Sequence, residues 1–129
     1  MRIHHSKEDY LEAILVLSEK TPYVRSIDVA DFFGYSKPSI SRAVTLLQED
    51  GLIEFDENKH IRLTKQGHSI AAKVYEKHTF FREMLEQAGV DRETAAADAC
   101  RIEHAISNES FDKLKTAYKK SRRILTDGK

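Results

Sequence analysis

Residue types that bind divalent metal ions recur at helical spacing in this 129-residue sequence. Asp9 and Glu12 are three positions apart, so they share one face of a helix, where two carboxylates repel unless a cation lies between them. Cys100, Glu103 and His104 have i, i+3, i+4 spacing, which places a thiol, a carboxyl group and an imidazole on one face of a second helix. The spacing therefore predicts a metal site whose ligands come from two helices.

Each of these residues also has an ordinary structural interpretation. Asp9 is placed to complete an N-terminal capping box, and Glu12 is typical of a solvated helix surface. A single cysteine such as Cys100 in an alanine-rich helix is usually a core residue, and His104 alone would be interpreted as a hydrogen-bonded core histidine. His78 would add a further nitrogen ligand, although taken by itself it is more simply structural. Spacing alone leaves metal binding and ordinary packing both open.

A second group of residues has the character of a DNA-contacting helix. The chain has no acidic residue between Asp31 and Glu49, a segment that contains most of the predicted third helix. Its first turns carry Ser36, Lys37, Pro38, Ser39, Ser41 and Arg42. Backbone N–H groups and hydroxyls at a helix start bind phosphates, Lys37 adds charge, and Arg42 lies where it reaches a base edge, most favourably guanine. The alternative is a capped surface helix in a helical bundle.

The elements that position these residues follow from apolar periodicity and from the residues that begin and end helices. The predicted helices cover residues 7–20, 26–33, 37–50, 65–88, 92–106 and 109–125. Strands over 52–55 and 60–63 form a hairpin whose tip carries Asp56 and Glu57, which oppose phosphate, and Lys59, which favours it. Two helices joined by a short turn and followed directly by a hairpin describe a winged helix-turn-helix.

The predicted fold is therefore mainly α, with two lobes. Residues 1–63 form a winged helix-turn-helix DNA-binding domain, and residues 64–129 form an all-helical dimerisation domain that carries the candidate metal ligands Cys100, Glu103 and His104. The second lobe carries more apolar surface than a lobe of that size readily hides, so we expect it to face a second copy of the chain across a two-fold axis.

Composition narrows the function classes. Lys and Arg number 21 and so do Asp and Glu, so the formal net charge is zero and any nucleic-acid contact must come from local patches. One cysteine excludes an internal disulfide framework, and the first six residues lack the apolar segment of a signal peptide. No apolar run reaches membrane-spanning length, so we expect a cytoplasmic protein without a membrane partner.

Enzymatic activity is not expected. The sequence has no HExxH pair, phosphate-binding loop or nucleophile elbow. The enzymatic alternative is a small metallohydrolase with Glu103 as its base. A purely structural helical dimer is another alternative, and it would bind neither metal nor specific DNA. The main alternative is a metal-independent winged-helix regulator that senses an organic ligand.

Six segments of the sequence match one known family pattern. They are residues 6–14, 27–30, 36–41, 51–53, 63–67 and 98–107, the last being Asp-Ala-Cys-Arg-Ile-Glu-His-Ala-Ile-Ser. These segments resemble the diphtheria-toxin-repressor family of metal-dependent regulators. The resemblance implies a homodimer with an N-terminal winged-helix lobe, a helical dimerisation lobe, and a manganese- or iron-sensing site between them that enables operator binding. It makes the candidate ligands Asp9, Glu12, His78, Cys100, Glu103 and His104.

The resemblance is mixed in what it implies about the metal. Asp9, Glu12 and His78 are similar to the short, manganese-responsive branch, which lacks an SH3-like domain, whereas Cys100 is similar to the iron-responsive branch. Arg82 stands where the iron branch has the glutamate of a second site. We therefore expect Mn²⁺ or Fe²⁺, with one or two ions per subunit and with Co²⁺, Ni²⁺ or Zn²⁺ substituting in vitro. The expected function is metal-dependent repression of metal-homeostasis genes, in which metal bridges the lobes and fixes the dimer on a palindromic operator.

Overall fold

The structure is a computed structural model that describes residues 6–127, with side-chain surroundings for residues 6–122. The described elements are α1 (Lys7–Lys20), α2 (Ser26–Phe33), α3 (Lys37–Glu49), β1 (Ile53–Phe55), β2 (Ile61–Leu63), α4 (Lys65–Gln87), α5 (Arg92–Ala105) and α6 (Asn108–Asp127). Every element begins and ends within two residues of its predicted position, which confirms the mainly α, winged-helix fold. The expectation about a signal peptide concerns mainly residues 1–5, which lie outside the described residues.

The chain divides into two compact units, the first ending at Tyr75 and the second beginning at Glu76. This division lies inside α4, so the long helix contributes residues to both units. The predicted domain boundary between residues 63 and 64 lies just before α4, whereas the two compact units divide within this helix. The predicted boundary stays a prediction.

The first unit contains α1 to α3 and the hairpin around one apolar core. Ser6 and Asp9 form the predicted capping box at the start of α1, and Gly34, with φ of 72°, ends α2 in the left-handed conformation. The two strands pair antiparallel, with Ile53 opposite Leu63. The buried side chains include Leu11, Ile14, Val24, Val29, Ile40, Val44, Leu47, Ile53 and Ile61. This core holds α3 and the hairpin side by side.

The second unit has a smaller core built largely of aromatic rings. Phe81, Ala99 and Phe111 are buried, and Phe80, Ile102 and Ile106 pack against them. The Asp91 carboxylate begins α5 by accepting the backbone N–H of Thr94 at 2.9 Å, and this hydrogen bond lowers the pKa of Asp91. Because Ala99 and Ile102 lie on α5, this core fixes one face of the helix that carries Cys100, Glu103 and His104.

None of the helices in the described part of the chain combines the length and hydropathy needed to cross a bilayer.

Candidate metal centre and nucleic-acid interface

Helix α5 brings three of the predicted ligands together in the second unit. One ligand atom each from Cys100, Glu103 and His104 lies within 4.8 Å of the others. Their i, i+3, i+4 spacing on a regular helix is the reason, since it places all three on one face. The group offers sulfur, oxygen and nitrogen, the donor atoms that transition-metal sites use.

Glu103 is the centre of this group and is almost completely buried, with 1% of its surface exposed. Its Oε2 lies 3.0 Å from Nδ1 of His78, which projects from α4. Its Oε1 lies 3.4 Å from Nε2 of His104, but this contact is not a hydrogen bond, and Oε1 has no hydrogen-bond partner. Burying a carboxylate oxygen without a partner is costly, and a bound cation would remove that cost. The residues present therefore fit a divalent metal ion.

Lys77 is a residue that the sequence analysis missed. It is buried, with 5% of its surface exposed, and its ammonium group donates to the carbonyl oxygen of Ile106 at 3.1 Å. This carbonyl lies at the C-terminal end of α5, where the helix dipole favours a positive charge. The contact holds the last turn of α5, which carries Glu103 and His104. No sequence signal distinguishes Lys77 from the other lysines of an amphipathic helix.

The remaining two predicted ligands, Asp9 and Glu12, lie on α1 in the first unit. Asp9 is 9% exposed, and its Oδ2 accepts the backbone N–H of Ser6 at 2.9 Å, so its predicted capping role is confirmed. Burial raises the pKa of the neighbouring Tyr10, and the charges of Tyr35 and Asp9 act in the same direction. The metal-binding role of Asp9 and Glu12 stays a prediction, because capping and metal binding do not exclude each other.

The predicted DNA-contacting residues surround the start of α3 in the first unit. Ser36 is in the N-cap position, but its side chain does not cap the helix, and its hydroxyl lies 3.1 Å from the hydroxyl of Ser39. The amides of the first turn are thus left without the side-chain cap that the sequence suggests, which suits a helix start that meets a phosphate. All six residues that the sequence predicts to contact DNA around the start of α3 are exposed.

A groove of about 680 Å³ lies beside α3, between this helix, the start of α2 and the hairpin. Three predicted DNA-contacting residues, Lys37, Ser41 and Lys59, line its wall. The structure therefore brings the start of α3 and the hairpin to one surface. The other wall residues are Arg25, Ser26, Ile27, Val44, Thr45, Phe55 and Asn58.

At the hairpin tip, the Asp56 carboxylate forms hydrogen bonds within its own turn. Asp56 Oδ1 accepts the backbone N–H groups of Asn58 at 2.8 Å and His60 at 2.9 Å, and Oδ2 lies 3.0 Å from His60 Nδ1. The N–H of His60 is the main reason that the pKa of Asp56 is lowered. Asp56 thus shapes the turn, while Lys59, with φ of 64°, lines the groove.

A winged helix-turn-helix unit and a helical unit with a buried carboxylate between thiol and imidazole groups define the class of metal-responsive DNA-binding regulators. Comparison with known families agrees. The model described as "Iron dependent repressor, N-terminal DNA binding domain" matches residues 2–61. The model described as "Iron dependent repressor, metal binding and dimerisation domain" matches residues 64–123. The chain belongs to this family of metal-dependent, DNA-binding repressors, the diphtheria-toxin-repressor type, and it is a transcriptional regulator rather than an enzyme.

Individual relatives support the same assignment. The HTH-type transcriptional regulator MntR of Bacillus subtilis (strain 168) is 30% identical over 109 residues, which make up 84% of this chain and 77% of that protein. Among solved structures, the metal-dependent transcriptional regulator MtsR is 27% identical with a TM-score of 0.80, over 88% of this chain and 54% of that one. The manganese regulator SloR is also 27% identical, with a TM-score of 0.74, over 88% of this chain and 55% of that one. The chain thus spans about half the length of these two regulators.

Proposed function

We propose that this chain is a cytoplasmic repressor that answers to Mn²⁺ or Fe²⁺ and binds a palindromic operator as a homodimer. The observation that carries the proposal is the buried Glu103 carboxylate, whose Oε1 lacks a hydrogen-bond partner while His78 and His104 lie beside the carboxylate. Such a group favours a state in which a cation is bound. The genes controlled would be those of metal-ion homeostasis, and the functional domain boundary would lie at residue 64, where the second family match begins.

The proposed ligand set combines both units. Cys100, Glu103, His104 and His78 would hold the ion from the second unit, and Asp9 and Glu12 would add carboxylates from α1. The ion itself would supply positive charge and fixed coordination geometry. Without it, the carboxylates repel one another, and α1 with the DNA-binding lobe is less restrained. Bound metal would narrow the range of distances between the two recognition helices of the dimer, and a palindromic operator favours one such distance.

The proposed DNA contacts divide into positioning and base-reading roles. Ser36, Ser39 and Ser41, together with the backbone at Pro38, would bind phosphates through hydroxyl and N–H groups, and Lys37 and Lys59 would add charge. Arg42, exposed on α3, would reach a base edge in the major groove. These roles are supported by the exposure of the residues on one surface and by the family match to a DNA-binding domain.

The test is an anaerobic titration of the purified chain with Mn²⁺ and with Fe²⁺, while binding to the DNA upstream of its own gene is followed. We expect metal to strengthen DNA binding in wild type. Glu103→Gln keeps the shape of the side chain but removes its charge. Changing a residue that only hydrogen-bonds to a metal ligand already lowers metal affinity about tenfold or more, so we expect at least that loss here.

The matched control is Glu93→Gln, which changes an exposed acidic residue in the first turn of the same helix. It should leave metal dependence unchanged. Operator binding by wild type that does not depend on metal would contradict the proposal and favour a regulator that senses an organic ligand. Full metal dependence in folded Glu103→Gln protein would contradict the site assignment.

A further inference from the structure

We propose that the exposed side of α6, in the second unit, binds duplex DNA without regard to its sequence, as a contact separate from those of the first unit. This side of the helix carries three exposed lysines, Lys113, Lys119 and Lys120, which we call the outer α6 lysines. The inference rests on the proposed function, because it assumes that the chain works on duplex DNA. It gives the second unit a ligand other than the metal ion.

The positive charge of the chain is concentrated on α6 rather than on the first unit. Residues 1–75, the first unit, contain ten lysines and arginines against eleven aspartates and glutamates, so the formal net charge of this unit is −1. Helix α6 contains six lysines and arginines against three acidic residues, a net charge of +3. Two of these acids, Glu109 and Asp112, precede the outer α6 lysines. The excess charge that attracts a polyanion such as DNA therefore lies on the middle of α6.

The outer α6 lysines have no use inside the chain. Within the described residues, none of the three forms a hydrogen bond or an ion pair. Two other cations of the same helix do have partners: Lys115 pairs with Glu76, and Arg122 lies over the ring of Tyr118, 5.9 Å from its centroid. The helix dipole does not account for the outer α6 lysines either, because it acts on the last turn, which contains no basic residue. Their charge is therefore available to an anion outside the chain.

Helix α6 presents these lysines from a fixed position on the second unit. Phe111 is completely buried in the aromatic core, and the Tyr118 hydroxyl donates to Oε1 of Gln87 at 2.6 Å, so two successive stretches of the helix are attached to α4. Lys113 and Lys120 are seven residues apart, which places them on one face with about 10.5 Å between them along the helix axis. Duplex DNA carries one phosphate charge per about 1.7 Å of its axis, so a stretch of this length faces several phosphates.

The surface between the lysines fits a nucleic-acid backbone rather than a protein partner. It is formed by Thr116 and Ala117, both exposed, which offer neither an aromatic ring nor an arginine. Protein interfaces are depleted in lysine and depend on aromatic or arginine anchors, whereas lysines that contact phosphates need no apolar anchor. The exposed Leu114 lies about 100° around the helix from Lys113, so it is beside this face and not within it.

The experiment measures the affinity of Mn²⁺-saturated protein for operator DNA and for random duplex DNA of the same length over a series of salt concentrations. The double variant Lys113→Gln/Lys120→Gln should weaken binding to both DNAs by the same factor, so the ratio of the two affinities stays that of wild type. The slope of log affinity against log salt should become shallower by about 1.8 for each bound protomer, since each phosphate contact contributes about 0.9. Lys113→Arg/Lys120→Arg should keep the wild-type slope, because the charge remains.

The matched control is Lys20→Gln/Arg92→Gln, which removes the same net charge from exposed positions on α1 and α5. It should leave the salt slope unchanged. Acetylation of lysines, followed by mass spectrometry, gives a second measurement that does not depend on affinity. Bound DNA should protect Lys113, Lys119 and Lys120 of wild type and leave Lys20 reactive. The urea denaturation and Mn²⁺ affinity of both double variants should match wild type, which excludes an effect through the fold or the metal site.

Each outcome either supports the proposal or contradicts it. If both double variants lower the slope equally, net charge rather than α6 governs binding, and the proposal is wrong. If neither changes the slope and the outer α6 lysines stay reactive on DNA, the proposal fails while metal-dependent operator binding, and with it the proposed function, stands. If Lys113→Gln/Lys120→Gln weakens only operator DNA, the contact depends on sequence and the proposal is again wrong. If wild type binds no duplex DNA with either metal, the proposed function fails and this inference fails with it.

Discussion

At the scale of single residues, Glu103 shows how burial converts an ordinary acid into a candidate metal ligand. Its carboxylate is 1% exposed, and only Oε2 has a hydrogen-bond partner. A surface glutamate would use water for the second oxygen, but an enclosed one cannot. The chemistry of the site is therefore set by the atoms that surround this oxygen, above all the imidazole of His104 and the thiol of Cys100.

Cys100 leads to a prediction about metal preference. Its Sγ is grouped with the donor atoms of Glu103 and His104, and thiolate ligation favours iron(II), cobalt or zinc over manganese. We expect Cys100→Glu to shift activation toward Mn²⁺ while DNA binding remains metal-dependent. The measurement is the ratio of the Mn²⁺ and Fe²⁺ concentrations that half-activate DNA binding under anaerobic conditions.

Cys100→Ala is the control for this prediction, since it removes the sulfur without adding an oxygen ligand. It should weaken activation by Fe²⁺ more than activation by Mn²⁺. An unchanged ratio in both variants, each shown to be folded, would mean that Cys100 is a small core residue and does not contact the ion.

At the scale of elements, the start of α4 is held against Leu52, the residue that precedes β1. The Thr64 hydroxyl accepts the N–H of Gly67 at 3.1 Å, and the Thr64 N–H donates to the carbonyl of Leu52 at 3.1 Å. A Cβ atom at position 67 would overlap this same Leu52 carbonyl oxygen. Gly67 is thus required by the close approach of two backbones and not by its own φ.

Gly67→Ala should therefore destabilise the protein although alanine is the better helix former. The higher helix propensity of alanine would stabilise the folded protein by about 1 kcal/mol. Moving a backbone carbonyl to make room for the new Cβ atom costs about 1–3 kcal/mol, the usual cost of overpacking. We expect a net loss in the free energy of unfolding, measured by urea denaturation. Ser69→Ala, at an exposed position of the same helix, is the control and should be neutral or slightly stabilising. Higher stability of Gly67→Ala would contradict the close approach.

Helix α5 depends on a contact with α4 inside the second unit. Lys77→Met keeps an unbranched side chain but removes the ammonium group that binds the Ile106 carbonyl. We expect a loss of about 1.5–3 kcal/mol in the free energy of unfolding, the usual range for a hydrogen bond with a charged group. Metal affinity should fall as well, because the last turn of α5 carries Glu103 and His104.

The control for Lys77 is Lys113→Met on α6, where the lysine is exposed. It should change neither stability nor metal affinity. If the two variants behave alike in urea denaturation and metal titration, the buried ammonium contributes nothing to holding α5.

At the scale of the whole molecule, the family match assigns residues 64–123 to a dimerisation domain. Several apolar side chains of the second unit, among them Phe80, Leu85, Ile102 and Ile106, are only partly buried within one copy of the chain. Sedimentation should therefore show a dimer at micromolar concentration, both with and without metal, since this surface does not depend on the ion. A monomer under both conditions would remove the basis for binding a palindrome.

The sequence by itself determined the local structure of this protein. Helix boundaries are encoded by residues within one or two turns of the helix ends, such as the N-caps Ser6 and Asp91 and the C-cap Gly34, and by the spacing of apolar residues. Every described element therefore begins and ends within two residues of its predicted range. The sharing of one face by Cys100, Glu103 and His104 follows from helical spacing in the same way. The hairpin was predictable because its alternation differs from the helical period on either side.

Only the tertiary structure decided which of the functional side chains are buried and which partners they contact. Three features depend on residues far apart in the chain. Glu103 buries an oxygen that has no hydrogen-bond partner, Lys77 holds the end of α5, and Arg25 lines the groove with Lys37 and Lys59. Even Asp56, a surface acid in sequence terms, is committed to its own turn. Spacing along a chain reports local periodicity, whereas burial and pairing arise from packing between elements. Burial is what makes Glu103 and Lys77 depend on the few partners that this packing supplies.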